Sequence, residues 1–346
     1  MHFARESIFK SALRSLFTCC AAVIGILIGI LLVGMGFSMI SGQNVYPEKS
    51  EITLMPNAQG SRDLLPPSAP VLLRLDITGV IGQMDLTTQK FENLLLDSQE
   101  GMLAHGRVKG IFLYINSPGG TVDDSAGIYA LIKAYKEKYH MPVYAFVDGL
   151  CASGGMYIAC SADKIFATSS SIIGSVGVLM GPTFNVSSLM ERYGVQSLTL
   201  TEGKNKDMLN PFRPWQPGED KSLRNITAAL YSDFVDIVTA ARSQLSRDQL
   251  VNELGAQIYV AKEAATLGYI DVAAANYSMA VDALMEAAGI APDTACQVVQ
   301  LTAPRSFLSD LTNSCQSKIT HLFPIAPYIN SDLSGKWLYL YQTQTP

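Results

Sequence analysis

The chain has 346 residues, enough for one large domain or two ordinary ones, and only 16% of them are charged against 48% apolar, a low charge content that points toward a membrane segment. A net charge of -5 leaves no basic surface for nucleic acid. The six cysteines, Cys19, Cys20, Cys151, Cys160, Cys296 and Cys315, form neither a C-x-x-C pair nor a Cys/His cluster, so no metal site is expected, and no cofactor either.

Residues 1–16 are read as a short cytoplasmic N-terminus carrying Arg5, Lys10 and Arg14. Residues 17–40, "FTCCAAVIGILIGILLVGMGFSMI", follow without a charge and are long enough at about 1.5 Å per residue to cross a hydrocarbon layer as one helix. The basic residues ahead of it predict a single-pass anchor in the cytoplasmic (inner) membrane, N-terminus inside and the rest on the outer face. A cleaved signal peptide is the competing reading, against which stand the length of the run and the lack of a clean A-x-A site. Residues 41–70 are polar and proline-bearing, a composition suited to a linker.

From Val71 strand-like runs alternate with helical patterns: "VLLRLDITGVI", "TTQKFENLLLDSQEGMLA", "VKGIFLYINSPGG", "VDDSAGIYALIKAYKEKY", "PVYAFVDG" and "KIFAT". Such alternation predicts an α/β fold whose parallel sheet is covered by helices. Further on, "NVSSLMERYG" reads as a helix, "QSLTLTEG" as a strand, and Asp220 to Ser243 as an amphipathic helix with Leu223, Ile226, Leu230, Phe234 and Ile237 on one face. "SRDQLVNELG" and "YVAKEAATLGYID" predict two shorter helices, the second closed by Gly268. The folded domain is expected over 71–292. Residues 293–346 are left as a C-terminal extension of open role, in which Cys296 and Cys315 could pair if exported, and its tail "GKWLYLYQTQTP" reads equally as a late strand, an oligomer contact or a lipid-touching surface.

The stretch "VDGLCASGGMYIACSADKI" sets one hydroxyl, Ser153, among tiny residues at the entrance to an apolar helix. The amide of Gly154 would point with the helix N-terminus at developing negative charge, and the "INSPGG" turn could bring the amide of Gly119 or Gly120 as the other half of an oxyanion hole. The bland reading makes Ser153 an ordinary N-cap. A histidine base has little to recommend it: His2 precedes the apolar run, while His105, His140 and His321 stand beside loop signals without a telling acidic partner. Cys151 is a minor rival nucleophile.

"INSPGG", then "DGLCASGGMYIA", "IIGSVGV" and "EGKNKDMLNPF", in that order from about Val71 to Ala274, resemble the bacterial signal peptide peptidase A family, also called protease IV. The resemblance implies a Clp protease/crotonase-like fold of repeated β-β-α units behind the single N-terminal transmembrane helix. It also implies Ser153 as nucleophile, Lys206 as general base and Ser175 as the serine that orients the lysine. The family's lysine stands three residues after a glycine and ahead of a small or acidic residue, with a proline beyond; Gly203, Asp207 and Pro211 match that for Lys206 and not for its rival Lys204. An ordinary lysine titrates near ~10.4, so such a base must be stripped of water until its amine is neutral, a cost of roughly 4 kcal/mol. "IIGSVGVLM" and Met208-Leu209 are the candidate cover, and Asp207 is expected to point away from the amine, toward Arg213.

These features point to a membrane-anchored serine endopeptidase with a Ser/Lys dyad, acting on hydrophobic peptides such as signal peptide remnants. A homo-oligomeric ring is implied, with the dyad closing either within a subunit or between neighbours. The alternative is a catalytically inactive ring-forming membrane scaffold of the same fold. Acyl-CoA chemistry on a crotonase-type fold is a third reading, disfavoured by the predicted anchor.

Overall fold

The computed structural model describes residues 8–40, 49–303 and 338–340, and the chain divides into two units, Met1–Glu48 and Lys49–Pro346. In the first, helix α1 (Ile8–Ile40) contains an 18-residue stretch, Leu13–Ile30, with mean hydropathy 2.1 and none of it buried, long and apolar enough to span a membrane. Arg5, His2, His321 and Cys315 lie outside the described residues, and Cys296 is a buried thiol.

The second unit is built on an eight-stranded sheet. Its strands are β1 (Glu51–Met55), β2 (Val71–Thr78), β3 (Val108–Ser117), β5 (Val143–Ala152), β6 (Lys164–Ala167), β7 (Ile172–Gly174), β8 (Ile258–Val260) and β9 (Gln297–Thr302). The order is β1-β9-β2-β3-β5-β7-β8, with β6 also paired to β5. The centre is parallel, from β9 through β2, β3 and β5 to β6 and β7, and the edge strands β1 and β8 run antiparallel. Strand β4 (Gly119–Thr121) pairs instead with β10 (Leu338–Leu340). The helices are α2 (Thr88–Asp97), α3 (Val122–Tyr139), α4 (Gly154–Ala159), α5 (Ser187–Arg192), α6 (Lys221–Ala241), α7 (Ala261–Leu267) and α8 (Tyr277–Ala287). This is the mixed α/β architecture expected of a Clp-like fold.

Two cores follow from the two-residue period of a strand buried on both faces. Leu73, Leu75 and Ile77 of β2 join Leu113, Ile115, Val143 and Val147 under Ile128, Ile132 and Phe234 of α3 and α6. Leu72, Phe112, Tyr144 and Phe146 face the other way, under Val281, Leu284 and Met285 of α8. At about 25 cal/mol per Å² of apolar surface, side chains of this size contribute roughly 1.5–3 kcal/mol each when buried.

Strand β1 lies inside the stretch read as a linker, and β9 inside the stretch read as a C-terminal extension. Their backbones pair along Glu51–Met55 and Thr302–Val298, which builds one edge of the sheet from segments about 250 positions apart. Two segments also depart from the sequence reading. "QSLTLTEG" forms no strand: residues 195–202 pair in no ladder among the described residues, and Leu198 and Leu200 are 84% and 86% exposed. Gln249–Leu254 forms a short π-helical turn where an α-helix was expected. The helix after Val260 is confined to α7, ended as expected by Gly268 in the left-handed region with φ 95°.

Candidate active site

Ser153 is delivered by a distortion of β5. Strand β3 pairs Ile115 with Val147 and next Ser117 with Cys151, so Asp148–Leu150 bulge opposite Asn116 alone. The Asn116 Oδ1 accepts the amide of Leu150 at 3.1 Å, and Gly149, with φ 116°, has no room for a Cβ because Asn116 Oδ1 would lie 2.7 Å from it. Beyond the bulge β5 rejoins β7, Ala152 opposite Gly174, and the Ser153 amide donates to the Gly174 carbonyl at 2.9 Å.

At that point the chain turns from strand into helix. Ser153 holds φ 54° and ψ -115°, a region that costs a side-chain-bearing residue roughly 1–3 kcal/mol. It stands at the N-cap position of α4, yet its hydroxyl makes no capping bond. The ordinary N-cap reading therefore fails, since a cap stabilises a helix through the hydrogen bond that is missing here. A serine strained at a strand-to-helix turn, its oxygen making no hydrogen bond among the described residues, is the geometry of a nucleophile elbow, reached here without the G-x-S-x-G spacing.

The small residues are explained by what surrounds them. Gly154 begins α4, so its amide has no intrahelical acceptor, and a Cβ on it would meet Ser125 Oγ at 2.4 Å and the Gly120 amide nitrogen at 3.2 Å. Gly119 has φ 96°, and a Cβ there would lie 2.7 Å from the Gly154 nitrogen. The two glycine segments thus converge beside Ser153. Within them the Gly119 amide is already spent, donating to Ser117 Oγ at 3.1 Å, which in turn donates to the Gly79 carbonyl at 2.6 Å. Ile81 takes the Gly119 carbonyl and the Thr121 amide, at 2.9 and 3.0 Å, so alternation leaves the amide of Gly120 to face the cleft. Thr121 then caps α3 through its hydroxyl, anchoring the end of β4.

Ser175 follows Gly174 and is therefore carried to the same end of the sheet, buried and with φ 55°. Ser117, Asn116 and Ser125 support the site and were missed from sequence, although the "INSPGG" motif contains the first two. Cys151 is fully buried and burial pushes its thiol well up, while Cys160 is pushed up to about 12, so neither supplies a thiolate. His105 and His140 hold left-handed turn positions, φ 62° and 50°, the latter ending α3.

Lys206 is a different matter. It closes a turn through its amide to the Gly203 carbonyl at 3.2 Å, and its side chain, like that of Lys204, is exposed and makes no hydrogen bond or ion pair among the described residues. The expected shielding from water is not met within one chain. Asp207 does point away: Arg213 Nε donates to Asp207 Oδ2 at 2.8 Å, and Arg213 Nη2 donates to Glu219 Oε2 at 2.8 Å. The Arg213 guanidinium holds the Asp207 carboxyl below its usual range. Nearby, Val176–Met180 and Leu209 from the expected cover join Leu223 and Tyr231 of α6 along an open groove of about 690 Å³.

A family model described as peptidase family S49 matches residues 135–291, and one described as Clp protease matches residues 83–173. A protein of Enterococcus faecium titled "Putative signal peptide peptidase SppA" is 31% identical over 268 residues, 72% of this chain and 75% of that one. "Protease 4" of Haemophilus influenzae is 32% identical over 196 residues, 55% of this chain and 30% of that one. "Serine protease SPPA, chloroplastic" of Arabidopsis thaliana is 28% identical over 214 residues, covering 62% and 31%. A solved ClpP1 of Listeria monocytogenes superposes with TM-score 0.40 and 18% identity over 61% of this chain and 94% of that one, too loose a match to carry an argument.

Proposed function

Since the chain belongs to the signal peptide peptidase A family, in peptidase family S49, we propose that it is a membrane-anchored serine endopeptidase in which Ser153 attacks the peptide bond and Lys206 of a neighbouring copy is the base. The observation that carries this reading is the Ser153 hydroxyl, unbonded among the described residues, on a strained strand-to-helix turn beside the amides of Gly154 and Gly120. The hydroxyl adds to the scissile carbonyl as the lysine amine takes its proton. Negative charge on the former carbonyl oxygen is held by the two amides. The tetrahedral species then expels the amine of the leaving segment, which receives the proton, and water hydrolyses the acyl-serine by the same route. Ser175 hydrogen-bonds the lysine amine and fixes its direction.

The exposure of Lys206 supports completion between copies, because a base must lose its water and the single chain leaves this amine in solvent. The same segment carries Phe184, Tyr193, Leu198, Leu200 and Phe212, each more than half exposed, an apolar surface that fits a second copy of the chain. The substrates are hydrophobic peptide segments, signal peptide remnants among them, reached by a domain on the outer face of the cytoplasmic membrane with α1 as its anchor.

The test uses the full-length chain in detergent with a fluorogenic apolar peptide. Ser153→Ala and Lys206→Ala are each expected to lower kcat/KM by about a thousandfold or more, and Lys204→Ala by less than about threefold. Mixing the two inactive chains, unfolded and reassembled together, restores a measurable fraction of activity if the dyad closes between copies. Activity that survives Ser153→Ala and Lys206→Ala removes the proposal, and failure of the mixture to recover any removes the between-copy arrangement.

A further inference from the structure

Three consecutive residues of β5 stand outside its ladder with β3, and each is held by a different side chain. The Tyr114 hydroxyl donates to Asp148 Oδ2 at 2.6 Å, the Gly149 amide donates to Ser171 Oγ at 3.2 Å, and the Leu150 amide donates to Asn116 Oδ1 at 3.1 Å. In a bulge the sheet offers such amides no carbonyl, so an acceptor has to come from elsewhere. Asp148 and Gly149 face solvent, where water would serve as well and fix nothing.

Ser171 does more than accept one amide. It is fully buried, and its single hydroxyl hydrogen goes to the Val147 carbonyl at 3.0 Å, so the 2.7 Å contact with Thr168 Oγ1 is donated by Thr168. One oxygen therefore holds the last paired residue before the bulge, the bulge itself and the turn after β6. The Ser171 backbone carbonyl accepts the Ala261 amide at 2.9 Å, just past the end of β8. At this place β5 changes neighbours: Tyr144–Val147 pair with β6, whereas Leu150–Ala152 pair with β7. Ser171 is the residue directly ahead of β7.

Strand β7 has three residues, and Ile173 is its one buried apolar side chain. Register is specified by a strand's buried pattern, and a pattern of one side chain specifies little. Yet two residues of the site depend on it: Gly174 accepts the Ser153 amide at 2.9 Å, and Ser175 comes next in the chain. We infer that Ser171 and Asn116 are positioning residues of the peptidase. Ser171 pins β7 to the bulge, Asn116 fixes the last bulged residue, and together they set where the Ser153 oxygen stands relative to Ser175. The inference rests on the peptidase reading for what that alignment serves. Neither side chain touches the reacting atoms, so its loss costs alignment in the transition state, where a displacement of about 1 Å is felt, and leaves substrate affinity in place.

The test uses full-length chain in detergent and reads two quantities. Hydrogen exchange followed by mass spectrometry reports the bulge without turnover: Ser171→Ala is expected to speed exchange across residues 148–153 at least tenfold. With the fluorogenic apolar peptide, the same variant is expected to lower kcat at least thirtyfold while KM stays within about threefold. Asn116→Ala should act alike, with its faster exchange at Leu150, and Asn116→Asp, which keeps an accepting oxygen, should bring kcat back to within about fivefold of the parent. Ser98→Ala is the control for lost stability, since that serine is also fully buried and its hydroxyl donates to the Leu95 carbonyl of α2 at 2.6 Å. Its kcat should stay within about twofold. Unchanged exchange in Ser171→Ala, unchanged kcat despite faster exchange, an equal loss of kcat in Ser98→Ala, or no recovery in Asn116→Asp overturns the inference. Should Ser171→Ala fail to fold, the two variants of Asn116, an exposed residue, carry the same requirement. A parent chain that cleaves no peptide removes the peptidase reading instead, and exchange still decides whether these two side chains hold the bulge.

Discussion

At Gly154 and Ser125 the need for small side chains becomes a contact. The Cβ of an alanine at 154 would lie 2.4 Å from Ser125 Oγ, well inside van der Waals distance, and the hydroxyl is itself held by its bond to the Thr121 carbonyl at 2.7 Å. Gly154→Ala is expected to lower kcat/KM by about a hundredfold, and Gly154→Ala with Ser125→Ala to recover most of it, a non-additivity measured by a double-mutant cycle. Asp207 and Arg213 make a prediction about pH. Pairing lowers the Asp207 carboxyl, so the clamp contributes its full stability above the ordinary carboxylate range near ~3.9 and loses it only as pH falls through the lowered value. Arg213→Ala leaves a carboxylate one residue from Lys206 without its cation. A nearby anion favours the charged amine, so the rising limb of the pH profile of kcat/KM is expected to move to higher pH, and Asp207→Asn added to Arg213→Ala to move it back.

The elements show how a strand earns its place only by finding a partner. Ile52 and Leu54 of β1 give too short a pattern to separate from a tether, and what makes the segment a strand is β9, which arrives from the far end of the domain. The Ser50 amide and hydroxyl, bonded to Asp97 at 2.8 and 2.5 Å, fasten its start to α2. A chain beginning at Val71 therefore exposes the edge of β9, and its Tm is expected to fall by about 5 °C or more relative to one beginning at Lys49, with a greater tendency to aggregate in light scattering. The reverse holds for "QSLTLTEG", whose alternation is strand-like but which finds no pairing strand among the described residues.

For the molecule as a whole, a surface bearing Leu198 and Leu200 at more than four-fifths exposure asks for a covering partner. Leu198→Asp with Leu200→Asp is expected to convert the proposed assembly to single chains in light scattering after size exclusion. Under the proposed between-copy dyad, activity should fall with it by at least about a hundredfold, because a separated chain would then have Ser153 without a dehydrated base. The circular dichroism of the domain should not change, since neither leucine belongs to its core. Retained activity in a chain shown to be monomeric would mean that Lys206 reaches Ser153 within one subunit.

Much of this was legible in the residues themselves. Hydrophobic period marked β2, β3, α3, β5 and α6, because a buried strand and a one-sided helix each impose their own spacing. The glycines around Ser153, the apolar α1 and the pairing of Asp207 with Arg213 were readable for the same local reason: each depends on neighbours within a few positions. Tertiary structure alone decided the rest. No local pattern says that Glu51–Met55 meets Val298–Thr302, that Ser125 lies under Gly154, or that Tyr339 pairs with Gly120. Those contacts join segments whose separation along the chain carries no periodic signal, and they exist only once the sheet has closed and brought them together.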